Sequence, residues 1–105
     1  MRIAFTFHNL ESTDAIKAYA TEKIGRLQKY MQSPMEASAT FSLERHLQRV
    51  DVSIHSGTES FHGSEEQENM YASIDLVVDK IRTQVRRNKD EHTHRRRDPS
   101  IAVAK

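Results

Sequence analysis

The sequence predicts an α+β fold in two layers: element order β-α-β-β-β-α, with a four-stranded sheet and two helices packed on one face. Three observations predict it. Met35–Glu44 alternates apolar and polar residues throughout, the period of a half-buried strand. Two more strand-like runs follow after short links, which is how an antiparallel meander is connected. The stretch Asn69–Lys89 instead sets Met70, Ile74, Val77, Val78, Ile81 and Val85 within an arc of roughly 100° at helical spacing. One side of that helix requires a core.

In chain order, Arg2–His8 is the first strand, with Ile3, Phe5 and Phe7 on one face and Arg2, Ala4, Thr6 and His8 on the other. Asn9–Ser12 turns the chain. Thr13 is placed to cap the first helix, and Asp14 puts negative charge in its first turn, where the helix dipole favours it. That helix is expected to run to about Met31 on the stripe Ile16, Ala20, Ile24, Leu27 and Met31. Gln32-Ser33-Pro34 stops it. The second strand, Met35–Glu44, turns Met35, Ala37, Ala39, Phe41 and Leu43 to one side. Arg45–Gln48 links it to a third, Arg49–Ser56, built on Val50, Val52 and Ile54. Gly57 marks a tight hairpin, and Glu59–Ser64 is a shorter fourth strand around Phe61. The acidic run Ser64–Glu68 is expected as an exposed loop before the second helix, which Asn69 or a neighbour is able to cap. The residues Asp90–Arg97 prolong that helix by a turn or two, until Asp98-Pro99 ends it.

Both greasy helix faces then share one side of the sheet. Its other side, with Thr6, His8, Ser38, Thr40, Ser42, Ser53 and His55, is polar enough to meet water. The 105 residues suffice for one domain, expected over residues 1–92, followed by a basic, flexible tail over 93–105.

The net charge is only +1, but it is segregated. Residues 1–31 hold five Lys/Arg against three Asp/Glu, residues 36–75 two against eight, and residues 76–97 eight against three. Such a field says more about partners than the total does. There is no cysteine, hence no disulfide framework and no thiolate metal site. No apolar run is long enough for a signal peptide or a membrane span, so a cytoplasmic protein without a membrane partner is expected.

Catalytic motifs are absent: no G-x-S-x-G, no Gly-rich phosphate loop and no H-E-x-x-H, and no nucleophile, base and orienting group compose a site. A non-enzymatic protein without cofactor or metal is expected. His92 and His94 make at most a weak two-ligand site, and Glu65, Glu66 and Glu68 are explained by an exposed loop. The basic residues are the stronger lead. Helices side by side on a sheet expose their outer surfaces together, so Lys23, Arg26 and Lys29 join Lys80, Arg82, Arg86, Arg87 and Lys89 in a patch roughly 20–30 Å long at about 1.5 Å rise per residue. Arg82, Arg86 and Lys89 form one stripe, Lys80 and Arg87 another. A patch of that length suits a phosphate backbone. With Phe5, Phe7 and Phe41 inward, only Tyr19, Tyr30 and Tyr71 remain at helix edges, which favours structured RNA bound by shape over single strands bound by stacking.

Met70-Tyr71-Ala72-Ser73-Ile74-Asp75, with Val78-Asp79-Lys80-Ile81 and Gln84, resembles the second-helix motif of the ribosome hibernation promoting factor and ribosome-associated inhibitor family. Thr13-Asp14-Ala15-Ile16 with Lys23, Arg26 and Lys29 resembles that family's first helix, and His62-x-Ser64 its fourth strand. The likeness covers about residues 1–92. It implies a domain similar to double-stranded-RNA-binding folds. It also implies a stress or stationary-phase factor in the small-subunit channel, bound to 16S ribosomal RNA, blocking the messenger and transfer RNA sites and inhibiting translation. Lys23, Arg26, Lys29, Lys80 and Arg87 match basic family positions and Lys89 does so in some members. Thr83 departs, with the extra arginines at Arg82 and Arg86 instead. The short length resembles the short form, a single copy off the ribosome, relying on a separate ribosome modulation factor to pair ribosomes. The alternative is a protein-binding regulatory module acting on transcription machinery through the polar sheet face or the acidic segment 59–68.

Overall fold

Six regular elements form in the expected order: β1 (Arg2–His8), α1 (Asp14–Gly25), β2 (Met35–Glu44), β3 (Leu47–Ser56), β4 (Glu59–Gln67) and α2 (Met70–Arg97). The computed structural model describes residues 1–97, with side chains to Asn88; of the tail expected over 93–105, residues 93–97 continue α2 and the rest lie outside the described residues. The sheet has the order β1-β2-β3-β4. Strands β2, β3 and β4 are the antiparallel meander, while β1 runs parallel to β2. A parallel neighbour needs a crossover, and α1 supplies it.

Thr13 caps α1 as its position suggests, its hydroxyl accepting from the Ile16 N–H at 3.1 Å. The helix does not continue unbroken to Met31. It tightens to a 3₁₀ segment over Arg26–Tyr30, closed by a bond from the Met31 N–H to the Gln28 carbonyl. That segment presents Gln28 to the chain ahead: its amide donates to the Ser33 carbonyl at 2.9 Å and accepts from the Met35 N–H at 2.8 Å. One side chain thus ties the end of the first helix to the start of β2.

Two strand boundaries also differ from expectation. β3 begins at Leu47, because Arg45 takes φ 58 and reverses the chain within two residues. β4 runs on to Gln67, so the acidic stretch is strand rather than loop, with Glu65 opposite Val50 and Glu66 opposite Arg49. The charges are tolerated because each meets a cation. Glu65, on the helix side, lies 2.7 Å from Lys80, and Glu66, on the open side, 3.9 Å from Arg49.

The core lies between the sheet and the two helices. Met35, Ala37, Ala39, Phe41, Val50, Val52, Ile54 and Phe61 meet Ile16, Ala20, Ile24, Leu27, Met70, Ile74, Val77, Ile81 and Val85, all buried. Gly63 lets α2 come close to β4: a Cβ there would stand 3.2 Å from Ile81 Cγ1 and from Val77 Cγ2. The buried Ser73 hydroxyl is satisfied by the Gln48 carbonyl at 2.7 Å. At the other edge Ile3, Phe5 and Phe7 are only half-buried, with Phe7 stacked on Phe41 at 4.9 Å between centroids.

The open face of the sheet is polar and laced across strands: His55 with Ser60, Ser53 with His62, and Ser64 donating to Asp51. Arg49 grips the same Asp51 carboxylate through two nitrogens, at 3.0 and 3.1 Å. Burial alone would push the Asp51 carboxyl up. The hydrogen bonds from Arg49 and Ser64 outweigh it and hold the group below the usual carboxylate range.

Candidate nucleic-acid interface

The two helices lie side by side, and the seam between them opens outward as a groove of about 380 Å³. Spacing explains its composition. On α1 and its 3₁₀ continuation the positions turned away from the core recur as Lys23, Arg26 and Lys29. On α2 the edge facing them carries Asp75, Val78, Asp79 and Arg82 at one-turn intervals. Leu27 and Val78 form an apolar floor beneath this charged rim, with Tyr30 at one side.

Each cation in the groove is held differently. Lys23 Nζ is 3.8 Å from the Asp75 carboxylate and 5.3 Å above the Tyr19 ring. Tyr19 itself donates its hydroxyl to Asp75 at 2.7 Å and meets Tyr71 edge-on at 4.9 Å. That bond to a carboxylate, with burial adding to it, raises the Tyr19 hydroxyl above the ordinary phenol value. Arg26 lies 3.8 Å from Glu22, one turn back on its own helix, and Arg82 2.9 Å from Asp79. Lys29 sits 5.3 Å over the Tyr30 ring.

Of the eight basic residues singled out in the sequence, Lys23, Arg26, Lys29 and Arg82 are brought together here. Arg86, exposed, continues the Arg82 stripe one turn on. Lys80 stands on the opposite flank of α2, roughly 160° round the helix from Arg82 at 100° per residue. There its ammonium reaches Glu65 at 2.7 Å and the Ser64 carbonyl at 3.0 Å. Arg87, exposed, follows Lys80 at i, i+7 on that flank. The side chain of Lys89 lies outside the described residues. The single patch implied by the sequence is therefore divided by α2 itself.

Sequence reasoning missed the carboxylates. Glu22–Arg26 and Asp79–Arg82 carry a local signal, being i, i+4 and i, i+3 pairs on a helix. Asp75–Lys23 carries none, since its partners are brought together only by helix packing. Exposed pairs of this kind are worth about 0–1 kcal/mol, so a phosphate can displace them. Among the described residues no three His, Cys, Asp or Glu side chains stand together as a metal site, and no helix is long and apolar enough to cross a membrane.

Three comparisons bear on this geometry. The model of the family described as Sigma 54 modulation protein / S30EA ribosomal protein matches residues 3–93. The ribosome hibernation promoting factor of Salmonella typhimurium is 31% identical over 91 residues, covering 87% of this chain and 96% of that protein. The crystal structure of the Thermus thermophilus Protein Y N-terminal domain superposes with a TM-score of 0.77 at 34% identity, covering 83% of this chain and 98% of that one.

Proposed function

The chain belongs to the Sigma 54 modulation protein / S30EA ribosomal protein family, and from that premise we propose that it is a ribosome hibernation factor. It binds the small ribosomal subunit in the cytoplasm, lies along 16S ribosomal RNA in the decoding channel, and blocks the messenger and transfer RNA sites under stress or in stationary phase. The mechanism is steric. A rigid sheet-and-helix body fills the channel, and the protein's part in the chemistry is to neutralise phosphates.

The observation that carries this reading is the convergence of Lys23, Arg26, Lys29 and Arg82 on one inter-helix groove. Two parallel rows of cations suit an RNA backbone recognised by shape, without base readout. Arg86 extends the row, on the stripe that Lys89 continues in the sequence, and Arg87 offers a further cation on the other flank, where Lys80 is engaged by Glu65. Each phosphate neutralised releases counterions, so binding weakens steeply with salt. The test is a sucrose gradient of ribosomes with the wild-type protein and with Lys23→Glu/Arg26→Glu/Arg82→Glu. Wild type is expected to travel with small subunits or with whole or paired ribosomes, and the variant to stay at the top while keeping its fold. Undiminished co-sedimentation of a folded variant would sink the reading.

A second reading, a protein-binding module acting on transcription machinery, is favoured by the sigma 54 half of the family description. Its surface would be the polar sheet face rather than the acidic segment, because Glu59, Glu65 and Glu66 are already engaged by Asn88, Lys80 and Arg49. Binding that survives high salt and ignores the groove variant would select it.

A further inference from the structure

We propose that Asp75 and Asp79 determine the specificity of the inter-helix groove, by making any incoming polyanion compete for Lys23 and Arg82. The inference rests on the ribosome-binding reading above.

Burial does not account for these two acids. Their side chains are 48% and 61% exposed, on the side of α2 turned away from the sheet. They stand one turn apart, and like charges at i, i+4 oppose a helix. What they do face is the groove. Asp75 takes both the Tyr19 hydroxyl and Lys23, and Asp79 takes Arg82. Glu22 does the same for Arg26 from within α1. Among the described residues Lys29 is the groove cation with no carboxylate within 4.0 Å.

The consequence is a groove whose four cations are half cancelled by two carboxylates on its own wall. A lone phosphate that displaces Asp75 from Lys23 exchanges one ion pair for another and gains little. It also leaves a carboxylate uncovered beside the polymer. An RNA surface gains only if it reaches several cations together, including Lys29 and the next turn at Arg86. Flexible single strands cannot hold that arrangement without an ordering cost, whereas a folded RNA surface presents its phosphates already fixed. The acids therefore penalise generic RNA more than the fitted partner, which is specificity by built-in repulsion.

Asp75→Asn/Asp79→Asn removes the charges while keeping hydrogen-bond acceptors for Tyr19 and Arg82. Binding of a short oligouridine is followed by fluorescence anisotropy across a salt series, and binding of purified ribosomes by co-sedimentation. The variant is expected to bind oligouridine about tenfold more tightly at low salt, with the log–log salt slope steeper by about 0.7 per phosphate gained. Ribosome affinity should change far less, and Asp75→Glu/Asp79→Glu should restore discrimination. A folded variant with unchanged oligouridine affinity and slope, or one that gains equally on ribosomes, overturns the proposal. If the double variant does not fold, Asp79→Asn carries the same test, since its carboxylate meets only Arg82 among the described residues. A wild-type protein that ignores ribosomes overturns the hibernation reading instead, and the oligouridine comparison between variants still stands.

Discussion

The two flanks of α2 use the same residue types for different ends. Toward β4, side chains of the helix seal the edge of the sheet. Gln84 donates to the His62 carbonyl at 2.7 Å and accepts from its N–H at 3.4 Å, Lys80 covers the Ser64 carbonyl, and Asn88 holds Glu59 at 2.6 Å. An edge strand with its backbone so occupied is closed to further strands. Toward α1, the carboxylates that Lys23, Arg26 and Arg82 meet across or along a groove are all exposed. The difference teaches that a lysine on an amphipathic helix cannot be assigned to binding by its spacing alone. What sits under it decides.

The largest effect should come from the sealed flank. Gly63→Val places new atoms where Ile81 and Val77 already stand at 3.2 Å from a Cβ, so α2 must lift from β4. Overpacking of this kind costs about 1–3 kcal/mol, and for a domain of this size each kcal/mol lowers Tm by about 4–8 °C. Urea titration measures it directly. A variant as stable as wild type would mean that the flank is looser than its contacts indicate.

A smaller effect sharpens the contrast between acids. Glu65 is 23% exposed and lies beneath Lys80, whereas Asp75 is 48% exposed. Glu65→Ala removes a short charge-assisted bond from a half-buried site and should cost about 1–2 kcal/mol. Asp75→Ala should fall within about 0.5 kcal/mol of wild type. Equal losses in denaturant melts would erase the distinction between a structural and a functional flank.

Which parts were legible in the sequence follows from the same physics. Period-two alternation marked β1 and β2 to the residue, and the stripe Met70, Ile74, Val77, Ile81, Val85 marked the buried side of α2, because burial writes itself as periodicity. The end of β4, Glu65–Gln67, was illegible. Glu65 and Glu66 look like loop until Lys80 and Arg49 meet them. The cations of the groove were legible one by one, and their division into two flanks was latent in the two stripes. Their carboxylate partners were not, since Asp75 meets Lys23 only through the packing of two helices.

The smallest effect concerns pH and extends the comparison through β4 to the open face. Ser64 joins the two sides: its carbonyl accepts from Lys80 while its hydroxyl donates to Asp51, which Arg49 also grips. Burial works against the Asp51 charge, yet these bonds prevail and the folded carboxyl lies below its ordinary value. In the unfolded chain the group takes up its proton at the ordinary value, so between the two values the unfolded state binds more protons. The stabilisation is therefore fully present above the ordinary carboxylate value and is lost as pH falls through the lower, folded one. The half-exposed setting of Asp51 keeps the gain modest. Asp51→Asn should flatten the acid limb of a stability-against-pH curve, read from urea midpoints, with little change near neutrality beyond a constant offset. An acid limb as steep in the variant as in wild type would mean that the bonds from Arg49 and Ser64 do not favour the Asp51 carboxylate in the folded state, and the open face would then owe its order to packing alone.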